Sequence, residues 1–184
     1  MSLDLCIKSR TPIRHRGTGV HIRENGQTRE LKAIEEVKAH FPDADLSDIY
    51  IYEYEDNELF HFNMTHNLVE MAQHVPIAGT DINGWQLLWH PDECECFEKS
   101  TWSLKDSDGD DYSVEGVKLT SQYVDMVIKC LGYIANHLNE LEVFNPDNGW
   151  GSYDGLLKNT RELVHCLINI PVEEYDNYIV YTWT

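Results

Sequence analysis

Apolar positions along this chain alternate near its two ends and recur at helical spacing in between. Leu3, Leu5 and Ile7 alternate with polar neighbours and predict a short strand over residues 2–8. Val20 and Ile22 alternate next, ahead of Asn25-Gly26, a dipeptide that tolerates the positive φ angles of a type I′ turn; residues 18–31 therefore predict a hairpin. Leu31, Ile34, Val37 and Phe41 stand three and four apart, the pattern of an amphipathic helix over 30–41 that Pro42 stops. Ile49 to Tyr54 alternates aliphatic and tyrosine positions, and Leu59, Phe60 and Phe62 follow the acidic run Glu55–Glu58. That pattern predicts a second hairpin over 48–64, turning at the acids and blunted by them at its edge.

Residues 66–75 predict a short helix with Leu68, Met71 and Ala72 inward. Segment 76–116 is the least regular part, with Trp85, Trp89, Trp102 and an Asp-Gly turn at 108–109. Two long helical stripes follow. Tyr123, Val127, Leu131, Ile134, Leu138 and Leu141 mark a helix over about 120–142, with Thr120 or Ser121 as its cap. Leu156, Leu157, Thr160, Leu163, Val164, Leu167 and Ile168 mark another over about 153–170, capped by Ser152 and ended by Pro171. The loop 145–151 between them is short, which predicts antiparallel neighbours. Tyr178, Val180 and Trp183 predict a closing strand. The expected fold is α+β in a single domain of 184 residues, a small antiparallel sheet packed against two long C-terminal helices.

Composition narrows the function. The net charge is −18, and it is uneven: residues 1–40 carry eight bases and five acids, and the other 144 carry six bases and 27 acids. An acidic body repels nucleic-acid phosphates and anionic lipid, so direct nucleic-acid or membrane binding is not expected; a basic or DNA-binding host protein is the partner that fits. The one basic cluster, Arg10, Arg14 and Arg16 with His15, precedes that body and is expected to make contacts within the chain or with solvent. No apolar run approaches membrane-spanning length, and the five cysteines, odd in number and irregularly spaced, read as free thiols of a cytoplasmic protein. Tyr50, Tyr52 and Tyr54 offer a face for a dimer, and a monomer fits the composition equally well.

Two polar segments stand out. Thr65-His66-Asn67-Leu68 precedes Met71-Ala72, and Asn145-Pro146-Asp147-Asn148-Gly149-Trp150-Gly151-Ser152-Tyr153-Asp154-Gly155 joins the two long helices. Together they resemble a family of small phage- and mobile-element-encoded bacterial proteins with a THN…MA segment and an NPxNGWGxYxG turn. The resemblance covers roughly residues 48–170. Residues 1–45, read as a variable strand, hairpin and helix, and a loop-rich insert at 90–116 lie outside it. It implies a fold and a phage-like origin, and no chemistry. The polar residues it marks are Thr65, His66, Asn67, Asn148, Trp150 and Tyr153. They fit an interhelix corner of capping and turn residues, or a ligand cleft built from both segments. Catalysis by His66 is the third alternative, and it lacks a carboxylate fixed by the spacing.

His90, Cys94 and Cys96 place an imidazole and two thiols within seven residues, ligands that zinc takes, though no second Cys/His pair matches them; no cofactor is otherwise expected. Asp106 to Glu115 fails the calcium-loop pattern, because Gly109 and Glu115 fall at its fourth and tenth positions. A turn between Trp102–Leu104 and Tyr112–Val114 is the better reading. No phosphate-binding loop, dinucleotide fingerprint or nucleophile elbow is present. The expected function is therefore a non-enzymatic accessory or binding protein acting through protein contacts. The alternative is a small-molecule- or metal-binding protein, or an enzyme, using the cleft.

Overall fold

Basic and acidic stretches that lie far apart in sequence meet as neighbouring strands. The computed structural model describes residues 2–24, 27–106, 109–147 and 151–183. Strand β1 (Ser2–Gly17) pairs antiparallel along its length with β4 (Tyr52–Thr65). Arg14 faces Glu55, Arg16 faces Glu53 and Lys8 faces Glu58, so opposite charges stand across the ladder. Arg14 and Arg16 both pair with Glu53. The short strand 2–8 and the hairpin 48–64 are corrected accordingly: β1 runs on to Gly17, and Glu55–Glu58 continue β4 instead of turning. Pro12 lacks an amide N–H for the ladder, and the register slips between Lys8 and Ile13. Buried Asn57 fills the gap, its Nδ2 donating to the Ser9 carbonyl at 2.8 Å.

The sheet has the order β4-β1-β7-β6-β5, with β5 (Lys99–Lys105) and β6 (Asp111–Lys118) forming a hairpin and β7 (Tyr178–Trp183) between β1 and β6. All its pairings are antiparallel. The β5–β6 hairpin regularises part of the segment read as loop-rich. Strands β2 (His21–Glu24) and β3 (Gln27–Glu30) make a separate hairpin, whose Asn25-Gly26 lies outside the described residues. Because β3 takes Gln27–Glu30, helix α1 starts later than its apolar spacing predicts and spans Ile34–His40. Glu30 locks this corner: its carboxylate accepts from the Gly19 N–H at 2.6 Å and the Tyr52 hydroxyl at 2.7 Å.

Short helices α2 (Val69–Gln73) and α3 (Gly84–Trp89) follow β4, and Asn83 and Gln86 close a reciprocal cap on α3. Helix α4 spans Ser121–Asn136, capped by Thr120. The stripe predicted to 142 breaks at His137, and a four-residue α5 (Leu138–Leu141) continues the chain. The cause is local competition: Asn136 Nδ2 bonds the Gly132 carbonyl and His137 Nδ1 the Tyr133 carbonyl, two side chains engaging backbone oxygens of the last turn. The His137 ring also stacks on Tyr133 at 3.8 Å. Helix α6 (Tyr153–Ile168) packs on α4.

The result is one compact α+β domain with two cores. Leu5, Ile7, Phe62, Met64, Val117 and Val180 face the helices and their Leu88, Trp89, Val127 and Leu163. On the other side Trp102, Leu104, Val114 and Ile179 form a smaller cluster. Arg10 covers it, its guanidinium 4.3 Å from the Trp102 ring. Among the described residues no helix is long and apolar enough to cross a membrane.

Candidate functional site

Thr65 ends β4, and the chain turns at once into a 3₁₀ turn, His66–Leu68, and then α2. Leu68, Met71 and Ala72 are buried, as their spacing predicts, which leaves His66, Glu70 and His74 at the surface. On the facing side, a 3₁₀ turn Glu142–Phe144 carries the chain from α5 into Asn145-Pro146-Asp147. The two sides enclose an open groove of about 860 Å³. His66 and Asn67 line one wall, Pro146 and Asp147 the other. Its end is closed by a stack of His74 on Phe144, centroids 4.2 Å apart, with His74 Nδ1 fixed on the Glu70 carbonyl at 2.8 Å.

Beneath the groove the two polar segments touch through glycine. Gly151 adopts φ +78°, and a β-carbon there would lie 2.5 Å from Thr65 Oγ1 and 3.0 Å from Leu68 Cγ. Only a residue without a side chain fits both the conformation and the approach. Thr65 Oγ1 is buried and, among the described residues, has no hydrogen-bond partner.

Tyr153 serves the frame. Its N–H donates to Asn145 Oδ1 at 2.7 Å, and its buried hydroxyl donates to the Ile134 carbonyl at 2.7 Å, tying the start of α6 to the last turn of α4. Burial pushes that phenol up from its ordinary pKa, with the nearby Asp154 charge adding to it. Ser152 accepts from the Gly155 N–H as the predicted cap. Of the six marked residues, then, His66 and Asn67 line the groove, while Thr65 and Tyr153 lie in the joint under it. Asn148 and Trp150 fall outside the described residues. The groove's apolar Val143 and Phe144 lie outside both motifs; their position just after the helical stripe was the signal for them.

His90, Cys94 and Cys96 do not gather. His90 Nδ1 lies 3.4 Å from Glu93 Oε1, and Cys94 is buried with its thiol toward the carbonyls of Gln86 and His90. Burial, with the neighbouring Cys96, Asp92 and Glu93, pushes that thiol up to about 11. Cys96 is exposed. Among the described residues no three His, Cys, Asp or Glu side chains are placed to hold a metal ion. The tyrosine face is partly used within the chain, Tyr52 bonding Glu30 and Tyr54 stacking on His15 at 5.2 Å.

The chain matches no protein-family model, no curated protein sequence and no solved structure.

Proposed function

We propose that the chain is a non-catalytic binding protein of phage or mobile-element type, and that the groove between residues 66–74 and 143–147 meets an extended basic segment of a partner protein. The supporting observation is the groove's composition. Val143, Phe144 and Pro146 give it an apolar side, with Val143 73% exposed, and Glu70 and Asp147 place carboxylates beside it. A trough this open suits an extended polypeptide better than a small molecule, which is usually enclosed over most of its surface. The acidic body would draw a basic partner in from a distance. A DNA-binding host protein carries segments of that chemistry.

The test is fluorescence anisotropy with labelled Lys/Arg-rich peptides that also carry one apolar residue. Binding is expected to weaken as salt rises, because the attraction is between partly exposed charges. Val143→Lys is expected to cost about tenfold or more in affinity, roughly 1.4 kcal/mol. Glu115→Gln, at an exposed position on β6, makes the same one-unit change of net charge elsewhere and leaves most of the binding. Equal binding by the wild type and Val143→Lys, or no binding by any peptide, overturns the reading.

A further inference from the structure

A second cavity, smaller and more enclosed, lies away from the groove. It measures about 350 Å³ and is bounded by the β2–β3 hairpin, the second half of β4 and α6. Three observations mark it. Asn159 of α6 lines it, only 9% exposed, and its amide makes no hydrogen bond to any described residue. Its two donors and one acceptor are free for whatever fills the space.

The charges around it are arranged with positive and negative groups on opposite sides. Lys158 and Glu162 stand four apart on α6, the spacing at which such residues pair with each other. Lys158 instead reaches Glu24 Oε2 on β2 at 3.6 Å, and Glu24 Oε2 also takes Arg29 Nε at 3.2 Å. Arg29 Nη1 touches Glu36, outside the cavity, at 3.9 Å. Two cations thus converge on the Glu24 carboxylate at the hairpin side, and Arg29 reaches Glu36 as well. Glu162, at the other side, pairs with no cation among the described residues.

The β4 wall is satisfied within itself. His61 Nε2 lies 3.2 Å from Asp4 Oδ2, its Nδ1 lies 3.7 Å from Glu58 Oε1, and Asn63 Nδ2 donates to Asp4 Oδ1. That wall shapes the space, and the charged groups that face it from elsewhere are Lys158 and Glu162 of α6 and Glu24 and Arg29 of the hairpin.

We infer that this cavity binds a small zwitterion, a molecule joining a protonated amine to a carboxylate as an α-amino acid does. The carboxylate sits at Lys158 and Arg29, the ammonium at Glu162, and the Asn159 amide bonds between them. A volume of about 350 Å³ is about twelve times the share of one water in the liquid, room for a ligand of single-amino-acid size. The site rests on β2 and β3, so it belongs to the part of the chain outside the two polar motifs.

The experiment is thermal unfolding and titration calorimetry of the full chain against the proteinogenic amino acids. Each is compared with the amine that lacks its carboxylate and the acid that lacks its amine. At least one amino acid is expected to raise the unfolding temperature by several degrees, with neither partial analogue matching it. Lys158→Met and Glu162→Gln are each expected to weaken binding about tenfold or more. Asn159→Leu is expected to abolish binding while leaving the unfolding temperature of the free protein unchanged or higher, because it breaks no hydrogen bond in the free protein and adds apolar surface to a largely buried position. Val143→Lys, in the groove, leaves this binding unchanged. No response to any amino acid, an amine or acid that binds as tightly as the zwitterion, or unaltered binding by Asn159→Leu overturns the inference.

Discussion

Replacing Gly151 by alanine tests whether the joint beneath the groove is as tight as its geometry implies. Two costs combine. A non-glycine residue at φ +78° costs about 1–2 kcal/mol. The added β-carbon also meets Thr65 Oγ1 at 2.5 Å and Leu68 Cγ at 3.0 Å, and relieving such overpacking costs about 1–3 kcal/mol. The expected loss is therefore about 2–5 kcal/mol, read as a lower urea midpoint with an unchanged slope. The two costs separate in a double-mutant cycle. Thr65→Ala removes the nearer obstacle, so Gly151→Ala made on that background is expected to cost less by about 1 kcal/mol or more. The backbone cost and the Leu68 contact remain. A Gly151→Ala loss under about 0.5 kcal/mol, or strict additivity with Thr65→Ala, would show that the two segments do not press on each other as described.

Four further outcomes follow from the same contacts. Thr65→Val replaces a buried, unpartnered hydroxyl with a methyl of similar size, and the protein is expected to gain up to about 1 kcal/mol; a loss above that would mean the hydroxyl has a partner. Tyr153→Phe deletes the bond to the Ile134 carbonyl and is expected to cost about 1–2 kcal/mol in urea unfolding while leaving peptide binding at the groove intact. At Glu30 burial pushes the carboxyl up, but hydrogen bonds from Tyr52 and the Gly19 N–H, with Lys32 nearby, outweigh it and hold the pKa below 4.5. A group depressed on folding stabilises above its unfolded pKa, and that stability is lost as pH falls from about 4.5 through the lower folded value; Glu30→Gln should flatten urea midpoints across that acid window, and an unchanged profile refutes it. Gly116→Ala would put a β-carbon 2.2 Å from the Val180 carbonyl oxygen, forcing β6 off β7, so a loss of more than about 3 kcal/mol in the same assay is expected.

Patterning made most elements legible. The helical stripe from Leu156 to Leu167 located α6 to within two residues, and Asn25-Gly26 marked the β2–β3 hairpin. What it could not carry was pairing between distant stretches. Glu55–Glu58 look like a turn when read locally, and become ordinary strand positions only opposite Lys8 and Arg14. The end of α4 depended on the side-chain nitrogens of Asn136 and His137 bonding backbone carbonyls, which hydrophobic spacing ignores. For the groove, the THN segment was the visible half, and Val143 and Phe144 fell between the predicted helix end at 142 and the loop from 145, assigned to neither. The signal for the second cavity was present as well: Asn159 stands three after Leu156 and four before Leu163, a polar residue on the inward stripe.

Strand β7 joins the sheet in a way that bears on how the chain reaches its folded state. Its partners are β1 and β6, and Asp4 lies opposite Trp183. Before residues 178–183 are in place, the β4–β1 ladder and the β6–β5 hairpin are separate ribbons, each presenting a bare row of amide and carbonyl groups. Closing so long a loop is entropically costly and comes late. During that interval the same two rows are templates for other chains. Crowded synthesis or refolding at high concentration should therefore divert molecules into intermolecular sheet, and a synthetic peptide spanning 178–183, added in excess, should compete for that gap.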